Sequence, residues 1–355
     1  MSEMPIPTPS VLLIGGPDAG KSNFLFRFWL GVDSGTGALV KDTFPDELEY
    51  LRTGLECLLR GEFAGHTSKE VLEHATIPIK SAHEPLRSGI LNVPDVPGEK
   101  ILQVYHLRRW DALWEERILE GCGCLVFIRA ASEEIVRPLD YTECLKLFGS
   151  TLNQNAEPSS INSSAENVID APNGNPQVVE RSASPVSKTE QFQVDALNVN
   201  HPAVGTEETA KAPEPPTDVV LTDWMQFLRR AFTDRVSGSY RPKVGIVIAA
   251  WDAVPSDAQA QSPFDYLANN FPLLRQFIET NGERFDFQVF GLSILGGDLK
   301  NDPEFRAIFI KGKPNDFGYV IHSLNGQLER INDVTVPVAW ALGWFPPAHP
   351  LEARP

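Results

Sequence analysis

VLLIGGPDAGKSN, residues 11–23, runs from an apolar strand through a glycine-rich turn into the start of a helix. Val11–Ile14 form a short apolar run of the kind that fills a buried strand. Gly15 to Ser22 then fit G-x-x-x-x-G-K-[ST], the phosphate-binding loop pattern. Glycines at these positions let successive backbone N–H groups curl around phosphate oxygens, where a Cβ would obstruct the approach. The helix beginning near Lys21 points its positive end at the same anion. In this arrangement Lys21 reaches the β- and γ-phosphates and the Ser22 hydroxyl ligates Mg²⁺. The expected nucleotide-binding residues are Gly15, Asp18, Ala19, Gly20, Lys21, Ser22 and Asn23. A chance glycine turn is the alternative. The strand immediately before and the amphipathic stretch Lys21–Leu30 immediately after argue against it.

Outward from this loop the chain alternates between two patterns. Apolar runs at Val11–Ile14, Cys124–Ile128, Val244–Ala250 and Phe287–Ile294 read as buried strands of a mostly parallel sheet. Ala75–Lys80 and Ile90–Val93 read as two further strands forming a pair. Amphipathic stretches at Lys21–Leu30, Trp110–Leu119, Asp223–Arg235 and Leu267–Glu279 read as helices, and Val320–Ile331 as a closing helix. This alternation predicts an α/β fold, a doubly wound sheet with helices on both faces.

Residues 150–218 break the pattern. Among these 69 residues are ten acids, three bases and eight prolines, with 20 hydrophobic residues and Phe192 as the sole aromatic. Such a segment buries too little apolar surface to offset its conformational entropy, so a disordered insertion is expected. The ordered domain is then 1–149 together with 219–355. The whole chain of 355 residues carries a formal net charge of −16. A surface this acidic repels phosphate backbones, which argues against a nucleic-acid partner. The longest apolar runs are too short to span a membrane. No signal peptide is visible at the N-terminus, and Cys57, Cys122, Cys124 and Cys144 show neither zinc nor disulfide spacing. A reduced, cytoplasmic protein is the expectation.

Two further motifs follow the phosphate loop in order. Leu91-Asn-Val-Pro-Asp-Val-Pro-Gly-Glu99 is an apolar strand ending in D-x-x-G, and Val244–Ala250 is a strand ending in Trp251-Asp252. Together IGGPDAGKS, DVPGE and AAWD resemble the translation-factor-related (TRAFAC) class of P-loop GTPases. The D-x-P-G-E and W-D endings resemble bacterial double-GTPase families within it. The resemblance spans about residues 10 to 335, excluding the insertion. It implies a six-stranded, mostly parallel Ras-like sheet, GTP/GDP and Mg²⁺ as ligands, and a switch working with a protein partner or effector, possibly a second GTPase.

The same resemblance assigns roles to residues. Asp95 holds Mg²⁺ through water, and the Gly98 N–H bonds the γ-phosphate. Asp252 accepts hydrogen bonds from guanine N1 and N2, a donor pair that adenine lacks. Ala249 and Ala250 replace the asparagine and lysine of the family's N-K-x-D. Trp251 then either stacks on the base in place of the lysine or packs outside the site. An ordinary strand-end turn is the competing account of Asp252. Thr67 is the candidate for the threonine that completes the Mg²⁺ shell, with Thr43 as its competitor. Ser293 occupies the place where the family caps guanine O6 with a backbone N–H.

Glu99 departs from Ras-like enzymes, which carry glutamine after D-x-x-G. Glutamate offers only acceptors and repels the γ-phosphate, which implies slow intrinsic hydrolysis. Lys21, Thr67, Gly98 and Glu99 are therefore the catalytic candidates, and Ser22, Thr67 and Asp95 the metal ligands. Arg60, Arg108 and Arg109 lie near the switch motifs but read as solvated surface charges. The histidines lack metal-ligand spacing with the cysteines. The aromatic-rich stretch Tyr105–Trp114 reads as a helix core face or a partner-reading surface. The apolar tail Pro337–Pro347 either packs back or docks elsewhere. Two rivals to the switching GTPase stand beside it: a non-hydrolysing GTPase-like interaction module, and an ATP-dependent P-loop enzyme.

Overall fold

The computed structural model describes residues 9–16, 18–60, 62, 74–83, 87–94, 98–109, 123–132, 135–137, 215–233, 241–324 and 326–345. A nine-stranded sheet runs through it in the order β2-β3-β4-β1-β5-β6-β7-β8-β9. The strands are β1 (Ser10–Gly15), β2 (Leu39–Lys41), β3 (His74–Ser81), β4 (Ser88–Pro94), β5 (Gly123–Arg129), β6 (Lys243–Ala249), β7 (Asp286–Ser293), β8 (Tyr319–Leu324) and β9 (Gln327–Ile331). Strands β4, β1, β5, β6 and β7 are mutually parallel. The antiparallel β3 flanks them on one side, and β8 and β9 on the other.

All six expected strands are present and contiguous, but the expected count of six is too low. The sheet is extended by β2 at one edge and by the β8–β9 hairpin at the other. The hairpin also corrects the reading of Val320–Ile331 as a helix. Its apolar residues happen to fall near helical spacing, yet the pair Asn325-Gly326 at its centre is a strong hairpin signal. Gly326 takes a left-handed φ of 77° beside that turn.

Two apolar layers follow from the period-two alternation of the buried strands. Val11 and Leu13 of β1 face one core, with Phe24, Phe28 and Trp340. Leu12 and Ile14 face the other, with Trp224, Leu228 and Leu267. Helices α1 (Lys21–Ser34), α2 (Leu48–Leu59) and the late α9 (Val336–Ala341) contribute to the first layer. Helices α3 (Gly98–Leu107), α4 (Thr217–Thr233), α6 (Pro263–Asn270) and α7 (Pro272–Thr280) contribute to the second. The short α5 (Ser256–Gln259) follows a 3₁₀ turn at Trp251–Ala253, and α8 (Pro303–Lys311) follows β7. Helices on both faces of the sheet are thus observed.

Local chemistry sets several boundaries. The helix expected over Leu267–Glu279 is two helices, because Pro272 can neither donate to nor sterically extend α6. Ser262 and Asp265 close a capping box at the start of α6. The buried Asp218 carboxylate accepts from the N–H groups of Leu273 and Leu274 at the start of α7. Asp218 was expected inside the insertion, yet α4 begins at Thr217. Residues 1–142 and 214–355 group into one unit. The tail packs back as far as it is described, with Val336–Ala341 wholly buried. The helix expected at Trp110–Leu119 lies outside the described residues.

Candidate nucleotide-binding site

Strand β1 delivers Gly15 directly opposite Phe127 of β5. A Cβ at Gly15 would stand 2.9 Å from the Phe127 carbonyl oxygen and 3.0 Å from the Ala19 Cβ, so the turn requires glycine there. The chain then reverses through two left-handed residues, Asp18 at φ 53° and Gly20 at φ 90°. The Ala19 N–H donates to the Gly16 carbonyl at 3.4 Å, and α1 starts at Lys21. No side chain caps its amino end and no acid sits in its first turn. The partial positive charge there is left for an external anion. The Lys21 ammonium turns back over the loop and donates to the carbonyls of Gly15 at 2.5 Å and Gly16 at 2.9 Å.

The end of β6 abuts this loop. A Cβ on Gly20 would lie 3.3 Å from the Ala249 methyl. Ala250 follows in the left-handed conformation, and the 3₁₀ turn it opens carries Trp251 and Asp252. Trp251 is fully buried and meets Tyr266 edge-on at 5.5 Å. Its indole lies so close over Gly291 that a Cβ there would come within 2.5 Å. Of the two roles left open for Trp251, packing outside the site is the one observed. Asp252 is held only partly exposed. Burial pushes its carboxyl above the ordinary aspartate range and nearby Asp298 adds to this, while the Ser293 hydroxyl beside it opposes the shift.

Ser293 ends β7 with no exposed surface, and its Oγ accepts the Gly296 N–H at 2.8 Å. The structure thus brings Gly15, Asp18, Ala19, Gly20, Lys21, Asp252 and Ser293 to the carboxyl ends of the central parallel strands. Ser22 and Asn23 lie in the first turn of α1. Gly98 and Glu99 open α3. Thr67 and Asp95 lie outside the described residues. The competitor Thr43 falls between β2 and α2.

Two residues at this end of the sheet had no signal in the sequence. Arg27 on α1 is 4% exposed, and donates from Nε to the Ile294 carbonyl at 3.1 Å and from Nη2 to the Phe317 carbonyl at 2.6 Å. Burial lowers its pKa to about 10, with Asp333 acting in the opposite sense, so it stays charged at neutral pH. Tyr319 pairs with Ser293 across the β7–β8 ladder, and the Arg330 guanidinium lies 3.7 Å from its ring centroid. Burial raises the Tyr319 phenol pKa, and the charge of Asp252 raises it further.

Arg60 and Arg108 are exposed surface charges, in keeping with the sequence reading. Arg60 pairs with Glu62, while Arg108 pairs with Asp223 and lies over Tyr105. Cys124 is buried, which pushes its thiol up to about 12 and leaves it inert. Among the described residues no cluster of three metal-ligating side chains occurs, and no helix is long and apolar enough to cross a membrane. A cavity of about 240 Å³ lined by Ala131, Arg137, Asp218 and Tyr266 holds none of the site residues.

Comparison with known proteins identifies a family. The family model described as Double-GTPase 1 matches residues 12–341, nearly the whole chain. Among solved structures, the signal recognition particle receptor SRb-GTP/SRX complex from Chaetomium thermophilum aligns over 86% of this chain and 98% of its own. Its identity is 16% and its TM-score 0.37, too slight a likeness to carry a functional inference. No curated protein matches the sequence significantly.

Proposed function

The chain belongs to the Double-GTPase 1 family, and from that footing we propose that it is a cytoplasmic molecular switch that binds GTP and hydrolyses it slowly with Mg²⁺. The observation that carries this reading is the abutment of the Gly15–Lys21 loop and the Ala249–Asp252 turn at the carboxyl ends of β1 and β6. It sets a phosphate cradle beside a carboxylate with acceptor capacity to spare.

In this reading the Lys21 ammonium leaves the carbonyls of Gly15 and Gly16 for phosphate oxygens. Those two carbonyls hold the side chain over the loop, so the ammonium has only a short distance to move when it exchanges them for phosphate. The loop's glycines admit backbone close to the phosphates. Asp252 accepts from guanine N1 and N2, supported by the hydroxyl of Ser293, which has no exposed surface of its own from which to cap O6. The donors Ser22, Thr67 and Asp95 are hard oxygens of the kind that suits Mg²⁺. When bound, Mg²⁺ neutralises charge on the β- and γ-phosphate oxygens. The Gly98 N–H meets the γ-phosphate at the amino end of α3. A water attacks the γ-phosphorus, the bond to the β–γ bridging oxygen breaks, and GDP and phosphate leave.

Glu99 offers that water only acceptors, so turnover waits on a protein partner. Glu99 and the two alanines before Trp251 favour the second reading, a non-hydrolysing interaction module. Single-turnover hydrolysis separates the two. The proposal expects a slow, Mg²⁺-dependent release of phosphate that rises at least tenfold in Glu99→Gln. Absence of turnover in both proteins supports the module, and a wild-type rate of roughly 10 s⁻¹, typical of partner-activated enzymes, contradicts slow turnover.

A further inference from the structure

The phosphate end and the base end of the site lie on different elements, and one buried side chain joins them. Arg27 rises from α1, the helix whose first turn carries Lys21 and Ser22. Its guanidinium holds the carbonyl of Ile294, the residue immediately after Ser293, and the carbonyl of Phe317 ahead of β8. The Ile294 peptide is also closely approached by the backbone ahead of β8. Gly318, at φ 84°, approaches so closely that a Cβ there would stand 2.6 Å from the Ile294 oxygen and 3.2 Å from that of Ser293. Within the same turn the Ser293 hydroxyl accepts the Gly296 N–H and stands beside the Asp252 carboxylate.

We propose that Arg27 is a positioning residue for base selection, acting through Ile294 to fix Ser293 and Asp252 at a set distance from the phosphate loop. This deepens the guanine-nucleotide reading above and rests on it. A charged side chain buried against two neutral carbonyls gives up hydration that a surface arginine keeps. Replacement by an apolar residue of similar volume would fill the same space, but would leave both carbonyls without their donor. The 293–297 turn then loses its anchor to α1, while the loop from Gly15 to Gly20, held by β1 and β5, keeps its shape. Selectivity therefore falls more than phosphate affinity does. Phe317 and Gly318, which lead into the β8–β9 hairpin absent from the six-strand expectation, complete this contact.

The test is the ratio of GTP to ATP affinity in the full chain with Mg²⁺, measured by competition against a fluorescent guanine nucleotide and, independently, by calorimetry. Arg27→Met is expected to lower GTP affinity at least tenfold and ATP affinity less than threefold, moving the ratio towards one. Arg27→Lys, which keeps a donor able to reach one carbonyl, recovers part of the ratio. Gly318→Ala perturbs the same peptide with Arg27 intact, so it should lower the ratio too, and it keeps the test open should Arg27→Met fail to fold. Equal loss of GTP and ATP affinity, or an unchanged ratio, overturns the positioning role alone. A wild-type protein with no guanine preference overturns the guanine reading and this inference with it.

Discussion

Replacing Asp252 by asparagine isolates the base-reading contact. Ionised, the carboxylate has about four acceptor sites. The Ser293 hydroxyl and the residue's own backbone support it in the folded protein, and the rest remain for guanine N1–H and N2–H. Two hydrogen bonds to a charged group contribute about 1.5–3 kcal/mol each. Asparagine keeps one neutral acceptor and turns a donor towards the amino group, so roughly 3 kcal/mol is lost. That is about 150-fold in GTP affinity. ATP, whose base lacks the donor pair, should change less than threefold. Xanthine carries an oxygen where guanine has its amino group, so the asparagine amide donates to it. XTP should therefore bind the variant at least tenfold better than it binds wild type. Burial already holds the Asp252 carboxyl above its ordinary range. A neutral isostere removes that desolvation cost, and the melting temperature of the apoprotein should stay level or rise. Competition binding of GTP, ATP and XTP to both proteins checks this. GTP affinity within threefold of wild type, or a parallel loss of GTP and ATP, refutes the assignment.

Three further outcomes follow from the same structure. As pH falls through the raised Asp252 pKa the carboxylate is neutralised, so wild-type guanine affinity should decline at a pH above that of an ordinary aspartate, and Asp252→Asn should show no such decline. The raised value has the opposite effect on apoprotein stability: its contribution is present below the unfolded pKa and is lost as pH rises through the folded one. Asp218→Ala removes a buried acceptor from two N–H groups at 2.8 and 2.9 Å and should cost about 2 kcal/mol in urea unfolding without altering GTP affinity. Val136 and Thr217 clasp each other, N–H to carbonyl and N–H to hydroxyl at 3.0 Å each. Replacing residues 143–213 by a short Gly-Ser linker should therefore leave GTP affinity within threefold, and a larger loss would give the insertion a part in the site.

The strand–glycine turn–helix from Val11 to Asn23 was legible in the sequence because its geometry is local, lying within thirteen residues. Of the six central strands, four were legible as buried apolar runs and two, Ala75–Lys80 and Ile90–Val93, as a pair. The position of Asp252 in the turn after β6 was legible, but not the packing of Trp251, which depends on how closely Gly291 and Tyr266 approach it. The β8–β9 hairpin was misread because Val320, Ile321, Leu324, Leu328 and Ile331 can be laid on a helical face. The Asn325-Gly326 pair outweighs that spacing. Strand β2 is three residues long, too short for any periodic signal. Arg27 could not be found by pattern, because an arginine on an amphipathic helix ordinarily reads as solvent-facing. Its partners are two main-chain carbonyls far along the chain, and a carbonyl leaves no mark in sequence.

Calorimetric titration of GTP, GDP and ATP with Mg²⁺, beside a Lys21→Ala control, tests the central claim most directly. The account predicts that guanine nucleotides bind at least tenfold more tightly than ATP, and that Lys21→Ala abolishes this binding. Equal or tighter binding of ATP would contradict guanine recognition by Asp252, and absence of binding by all three nucleotides would contradict the switch itself.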